Sequence, residues 1–217
     1  LIGSKGFKEI VENRFNKDVI YFPNWAEKSI QENRTNNILD LKFPDNKFIV
    51  MYTGNIGYAQ NFKELIKTIK ILEDHIHWVF IGGGRYKEQF IKLLDKESVI
   101  SKVSFLDPVS IDQIPSYVSK ASCLFLSLRD KEVFSKTVPA KLQSYMALQK
   151  PIIAVLKGDG AEIIKDSNCG FVEENNNYKH LAKMIQKLSK LSEEDLDSFG
   201  INGRSYYDKY FSIEKRK

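Results

Sequence analysis

A chain of 217 residues with 42% hydrophobic and 28% charged residues has enough apolar surface for one ordinary core, and its length fits a domain or a domain and a half. It holds no apolar run long enough to span a membrane, and its opening LIGSKGFKEI has no apolar signal core, so neither a membrane span nor secretion is indicated. The formal charge of +5 suits a phosphate-bearing partner, but the lysines are scattered along the chain, which argues against a nucleic-acid surface.

A start at Leu1 suggests a piece of a longer protein. Residues 1–18 read as a strand end and a helix, the close of a preceding domain or a linker. Apolar runs with the look of buried strands follow at Asp18–Phe22, Phe48–Tyr52, His77–Ile81, Lys102–Leu106, Cys123–Ser127, Pro151–Val155 and Gly170–Val172. Between them lie stretches with helical spacing, such as Phe62, Leu65, Ile66, Ile69 and Leu72, and then Phe90, Leu93 and Leu94. The polar segment ENRTNNILDLKFPDNK reads as a connection into the first core strand. Strands apolar on both faces must be covered twice, so residues 19–190 are expected to form an α/β domain: a Rossmann-like parallel sheet with helices on both faces. Residues 191–217 open on a helix cap, Ser192 ahead of Glu193, Glu194 and Asp195, and carry Phe199, Tyr206, Tyr207, Tyr210 and Phe211 at helical spacing. They read as a packing helix, not a base-stacking surface.

Ligands of such sheets bind at the carboxyl ends of the strands, so the loops there are the candidate site. Gly54, Asn55 and Gly57 follow the first core strand and suit either a tight turn or close approach to an anion. Gly82, Gly83, Gly84 and Arg85 repeat the device one strand later. Lys136, Thr137, Val138, Pro139 and Lys141 surround a further helix start, where a lysine is electrostatically misplaced unless a negative ligand compensates it. Asp159, Gly160, Ala161 and Glu162 open another helix, and their carboxylates fit either sugar hydroxyls or simple capping. His75, His77 and His180 lack metal spacing, and Cys123 and Cys169 read as buried reduced thiols, so neither a metal nor a cofactor is expected.

Taken in order, these landmarks resemble the carboxyl-terminal, donor-binding domain of GT-B glycosyltransferases, in particular the retaining family-four group (glycosyl transferases group 1). The resemblance runs from about Val19 to the end. It is carried by Phe22-Pro23-Asn24-Trp25, the glycine loops at 54–57 and 82–84, Val103-Ser104-Phe105-Leu106, Ile114-Pro115-Ser116-Tyr117, and the segment from Thr137 through Lys141, Gln143, Ser144 and Tyr145 to Pro151. It implies a nucleotide diphospho-sugar substrate, most often UDP- or GDP-linked, and no metal. Gly54, Asn55 and Gly57 would line the diphosphate, Leu106 and Asp107 the base, and Asp159 to Glu162 the donor sugar. Lys141 and Glu162 are the expected catalytic residues, with Gly83, Gly84, Arg85, Lys136, Thr137, Val138, Pro139 and Ser144 as further donor contacts.

The resemblance also implies a missing amino-terminal domain and a glycan or lipid-linked acceptor, with residues 191–217 packing across the two domains. The intact enzyme would be cytoplasmic, with peripheral association at the inner face of the membrane open to it. Four positions depart from the family pattern. Asn55 and Gln60 stand where many members carry Arg and Lys, and Ser144 stands where the ribose-binding Glu is usual; the first Glu of that pair falls near Lys136, with Glu132 close by. A GT-B nucleotide-sugar 2-epimerase and a non-catalytic Rossmann-like binding module are the alternatives.

Overall fold

The computed structural model describes residues 1–32 and 43–213. Most of the Asn-rich connection therefore lies outside the described residues. Six strands, β1 (Phe48–Thr53), β2 (Ile76–Ile81), β3 (Val103–Leu106), β4 (Cys123–Ser127), β5 (Ile152–Val155) and β6 (Gly170–Glu173), form one sheet in the order β3-β2-β1-β4-β5-β6. Every pairing is parallel. The strand order reverses between β1 and β4, so their carboxyl ends open the crevice in which doubly wound sheets bind ligands.

Alternation along each strand explains why both faces must be covered. Ile49, Met51, Val79, Ile81, Leu124 and Leu126 enter one core cluster, whereas Val50, Tyr52, Trp78, Phe80, Cys123 and Phe125 enter the other. Ten helices stand among the described residues: α1 (Lys8–Phe15), α2 (Lys28–Gln31), α3 (Phe62–Ile71), α4 (Lys87–Lys96), α5 (Ile114–Ser119), α6 (Glu132–Ser135), α7 (Ala140–Ala147), α8 (Asp159–Ser167), α9 (Tyr178–Leu188) and α10 (Glu193–Tyr210). Residues of α3, α4 and α9 complete the second cluster, and those of α5, α7, α8 and α10 complete the first. The second is dominated by aromatics: Phe62 stacks on Phe90, and both meet Phe80 edge-on.

The run Asp18–Phe22 is not a strand of the sheet. It makes a single parallel bridge, Tyr21 to Ile2, and Ile20 is 68% exposed. Pro23 ends the run without an N–H to continue a ladder. Helix α10 begins as expected, with the Ser192 hydroxyl accepting from the Asp195 N–H at 3.1 Å. It docks through Tyr207 and Phe211, both buried, and the Tyr207 hydroxyl accepts from the Ala26 N–H at 3.1 Å.

Candidate functional site

Helix α7 starts at the crevice. Pro139, extended at ψ 133°, is its N-cap and not its first helical residue, and no side chain caps the helix. Two residues four apart tie α7 to the end of β1. The Tyr145 hydroxyl accepts from the Thr53 N–H at 3.0 Å, and Lys141 Nζ donates to the Tyr52 hydroxyl at 2.7 Å. The Tyr52 hydroxyl in turn donates to the Asn55 carbonyl at 2.6 Å. Lys141 Nζ also stands 4.6 Å from the centre of the Tyr52 ring. A side chain at Gly54 would meet Lys141 Cε at 2.7 Å, so the glycine loop forms the floor on which the lysine lies.

Lys141 has no carboxylate within salt-bridge distance among the described residues, and burial pushes its pKa down to about 8. Burial likewise pushes the Tyr145 phenol up to about 12 and the Tyr52 phenol higher still, so both hydroxyls stay neutral. The result is an uncompensated cation at a helix N-terminus, two positive features with no protein anion between them.

The two glycine loops are built against each other. Ile56 N–H donates to the Gly83 carbonyl at 2.7 Å, and Tyr86 N–H to the Ile56 carbonyl at 3.0 Å. Gly82, at φ +146°, lies so close that a Cβ there would fall 2.1 Å from the Gly54 carbonyl oxygen; at Gly84, φ +148°, it would fall 2.3 Å from that of Ile56. Backbone contact between loops thus accounts for both residues. Gly83 is half-buried beside Pro108, and Arg85 is exposed. The first loop offers fewer free donors than its composition suggests. Gly54 N–H donates to the Ile81 carbonyl, and Gly57 N–H to Gln60 Oε1 at 3.0 Å, which leaves only Asn55 N–H unbonded among the N–H groups of residues 54–57. Gln60, where the family pattern has a cation, therefore closes the loop.

Several other expected contacts are already engaged. Lys136 Nζ donates to Glu132 at 2.8 Å, the Thr137 hydroxyl to the Val133 carbonyl at 2.6 Å, and the Ser144 hydroxyl to the Ala140 carbonyl at 3.4 Å. Asp107 is exposed and paired with Lys87 at 3.0 Å, next to half-buried Leu106. On α8, Glu162 is exposed and paired with Lys165 at 3.0 Å, while Gly160 and Ala161 are buried, Gly160 against Leu156 and Pro139.

The amino-terminal segment also reaches the crevice, a contact that no local signal announces. The Ser4 hydroxyl accepts from the Val138 N–H at 2.7 Å, and Gly6 N–H donates to Asp159 Oδ2 at 2.7 Å. Gly6 fits because it has no side chain: a Cβ would fall 2.9 Å from Lys136 Cα. Residues 4–6 thus pin the start of α7 to the start of α8. Arg129, half-buried in the loop after β4, bonds through its N–H to the Ala59 carbonyl at 2.8 Å and joins the two strand-end loops across the switch point.

A six-stranded parallel sheet whose order reverses between β1 and β4, covered by helices on both faces, is the Rossmann-like architecture of the GT-B fold. The profile of the family "Glycosyl transferases group 1" matches residues 33–206, and the chain belongs to that family. It is 27% identical over 138 residues to the putative colanic acid biosynthesis glycosyl transferase WcaI of Escherichia coli, covering 61% of this chain and 33% of that protein. Among solved structures it resembles WaaG, a glycosyltransferase involved in lipopolysaccharide biosynthesis, with TM-score 0.73 and 14% identity over 96% of this chain and 58% of that one. It also resembles Anabaena Alr3699/HepE in complex with UDP and glucose, with TM-score 0.64 and 16% identity over 78% of this chain and 46% of that one. The chain spans between 33% and 56% of the length of the curated relatives it matches.

Proposed function

We propose that the chain is the donor-binding half of a glycosyltransferase that moves a sugar from a UDP-linked nucleotide sugar to a polysaccharide or lipid-linked acceptor with retention. The uncompensated ammonium of Lys141 at the start of α7, beside the end of β1, carries the reading. As the bond between the anomeric carbon and the diphosphate breaks, negative charge gathers on the leaving group. Lys141 and the free N–H groups at the start of α7 stabilise that charge without a metal or cofactor. Asp159 and Glu162, on the next helix start, face the donor sugar. UDP is favoured by the neighbour that binds UDP and glucose. Acceptor binding and the remaining catalytic groups belong to a further domain, so the chain alone binds nucleotide with little or no transfer. Two buried cysteines, paired with nothing, fit a cytoplasmic setting.

The test is a calorimetric titration with UDP, GDP, ADP and sulfate, repeated on Lys141→Ala. Saturable UDP binding weakened about tenfold or more by the substitution is expected, the loss of one charge-assisted contact. Equal affinity for sulfate, or no effect of the substitution, would return the chain to the class of non-catalytic modules.

A further inference from the structure

Beside the donor region lies a cavity of about 400 Å³, walled by α8 on one side and α10 on the other and bordered by the amino-terminal segment. Its size is that of a small-molecule site. From α8 come Glu162 and Asp166, four residues apart; from α10 come Tyr206 and Tyr210, also four apart, with ring centres 4.5 Å from each other. Lys5, exposed and 5.3 Å from the centre of the Tyr21 ring, also lines it. Tyr210 is 49% exposed, and Asp166 has no hydrogen bond or salt bridge among the described residues.

We propose that this cavity is a subsite for neutral sugar residues of a glycan. The inference rests on the donor-half reading, because Val138 and Asp159 line both this cavity and the helix starts assigned to the donor. The charges select the ligand. Carboxylates on α8 repel phosphates and uronates, while Lys5 opposes a polycation. A hydroxyl-rich neutral ligand suits both: its hydroxyls donate to Asp166 and accept from Lys5, and its C–H face lies on Tyr206 and Tyr210. A glycan held here would extend from beside the donor sugar along α10.

The chain is titrated with chitobiose, digalacturonate and tetralysine by saturation-transfer NMR, with UDP affinity measured on the same sample. Saturable chitobiose binding is expected, weakened about fivefold or more by Tyr210→Ala and by Asp166→Asn, with UDP binding and melting temperature unchanged. Three outcomes overturn the proposal: no saturable chitobiose binding in a chain that binds UDP, chitobiose binding indifferent to both substitutions, or a preference for tetralysine, which would make the cavity a peptide surface. Chitobiose binding without UDP binding would sink the donor reading and leave the glycan subsite standing.

Discussion

Lys141 is held at a cost to the fold, and that cost is measurable. Its ammonium keeps its proton to about pH 10.5 in the unfolded chain but only to about 8 in the folded one. Between these values the unfolded chain binds the extra proton, so stability rises with pH over that window, and below pH 8 the penalty is fully present. Lys141→Met keeps most of the side-chain volume and removes the charge. It is expected to stabilise the chain at pH 7 by roughly 1–3 kcal/mol, a gain that shrinks toward pH 10 in urea titrations, while weakening UDP binding. A residue that opposes folding and favours a ligand behaves as a site residue; equal or lower stability for the Met variant at pH 7 would mean that the lysine is structural. His77, by contrast, is spoken for: it is buried, its ring bonds the Ser104 hydroxyl at 2.8 Å, and burial lowers its pKa.

At the scale of elements, the interlocked glycine loops set the floor of the crevice. Gly82→Ala forces a methyl into the Gly54 carbonyl at a positive φ, and a loss of more than about 2 kcal/mol is expected in urea unfolding. Gly83→Ala meets only Pro108 Cγ, at 3.4 Å, and is expected to cost under about 1 kcal/mol. Similar losses for the two would contradict the interlock. Six strands were legible because their runs are largely apolar and bounded by turn residues, and the four central ones, β1, β2, β4 and β5, are apolar on both faces, which is the mark of a doubly covered parallel sheet. The run at Asp18–Phe22 has the same composition but among the described residues pairs only with Ile2, through one bridge, and composition alone cannot report how much of a partner strand a run will find. The glycines of the second loop were legible as a close approach. Their neighbour, the first loop, was not, since a bare sequence does not distinguish a ligand from another piece of backbone.

Over the whole molecule, what the sequence conceals is distance. Lys141 stands out by chemistry, a lysine at a helix start, but its partner Tyr52 lies 89 residues earlier and reads as one more core aromatic. The contact of Ser4 with Val138 spans 134 residues and that of Gly6 with Asp159 spans 153; no periodicity encodes either. These two bonds are the means by which the amino-terminal segment reaches the candidate donor site, and they make the start of α7 dependent on a part of the chain far from it. Removing the hydroxyl in Ser4→Ala leaves the buried Val138 N–H without its acceptor. Loss of one such bond is worth about 1 kcal/mol, so amide exchange at Val138 and its neighbours is expected to rise about fivefold while exchange in β1 and β4 stays at the global rate. UDP should bind the variant more weakly, because the helix start it meets is less ordered. If exchange at Val138 is unchanged, the segment is a passenger on the site and α7 is set by Tyr145 and β1 alone.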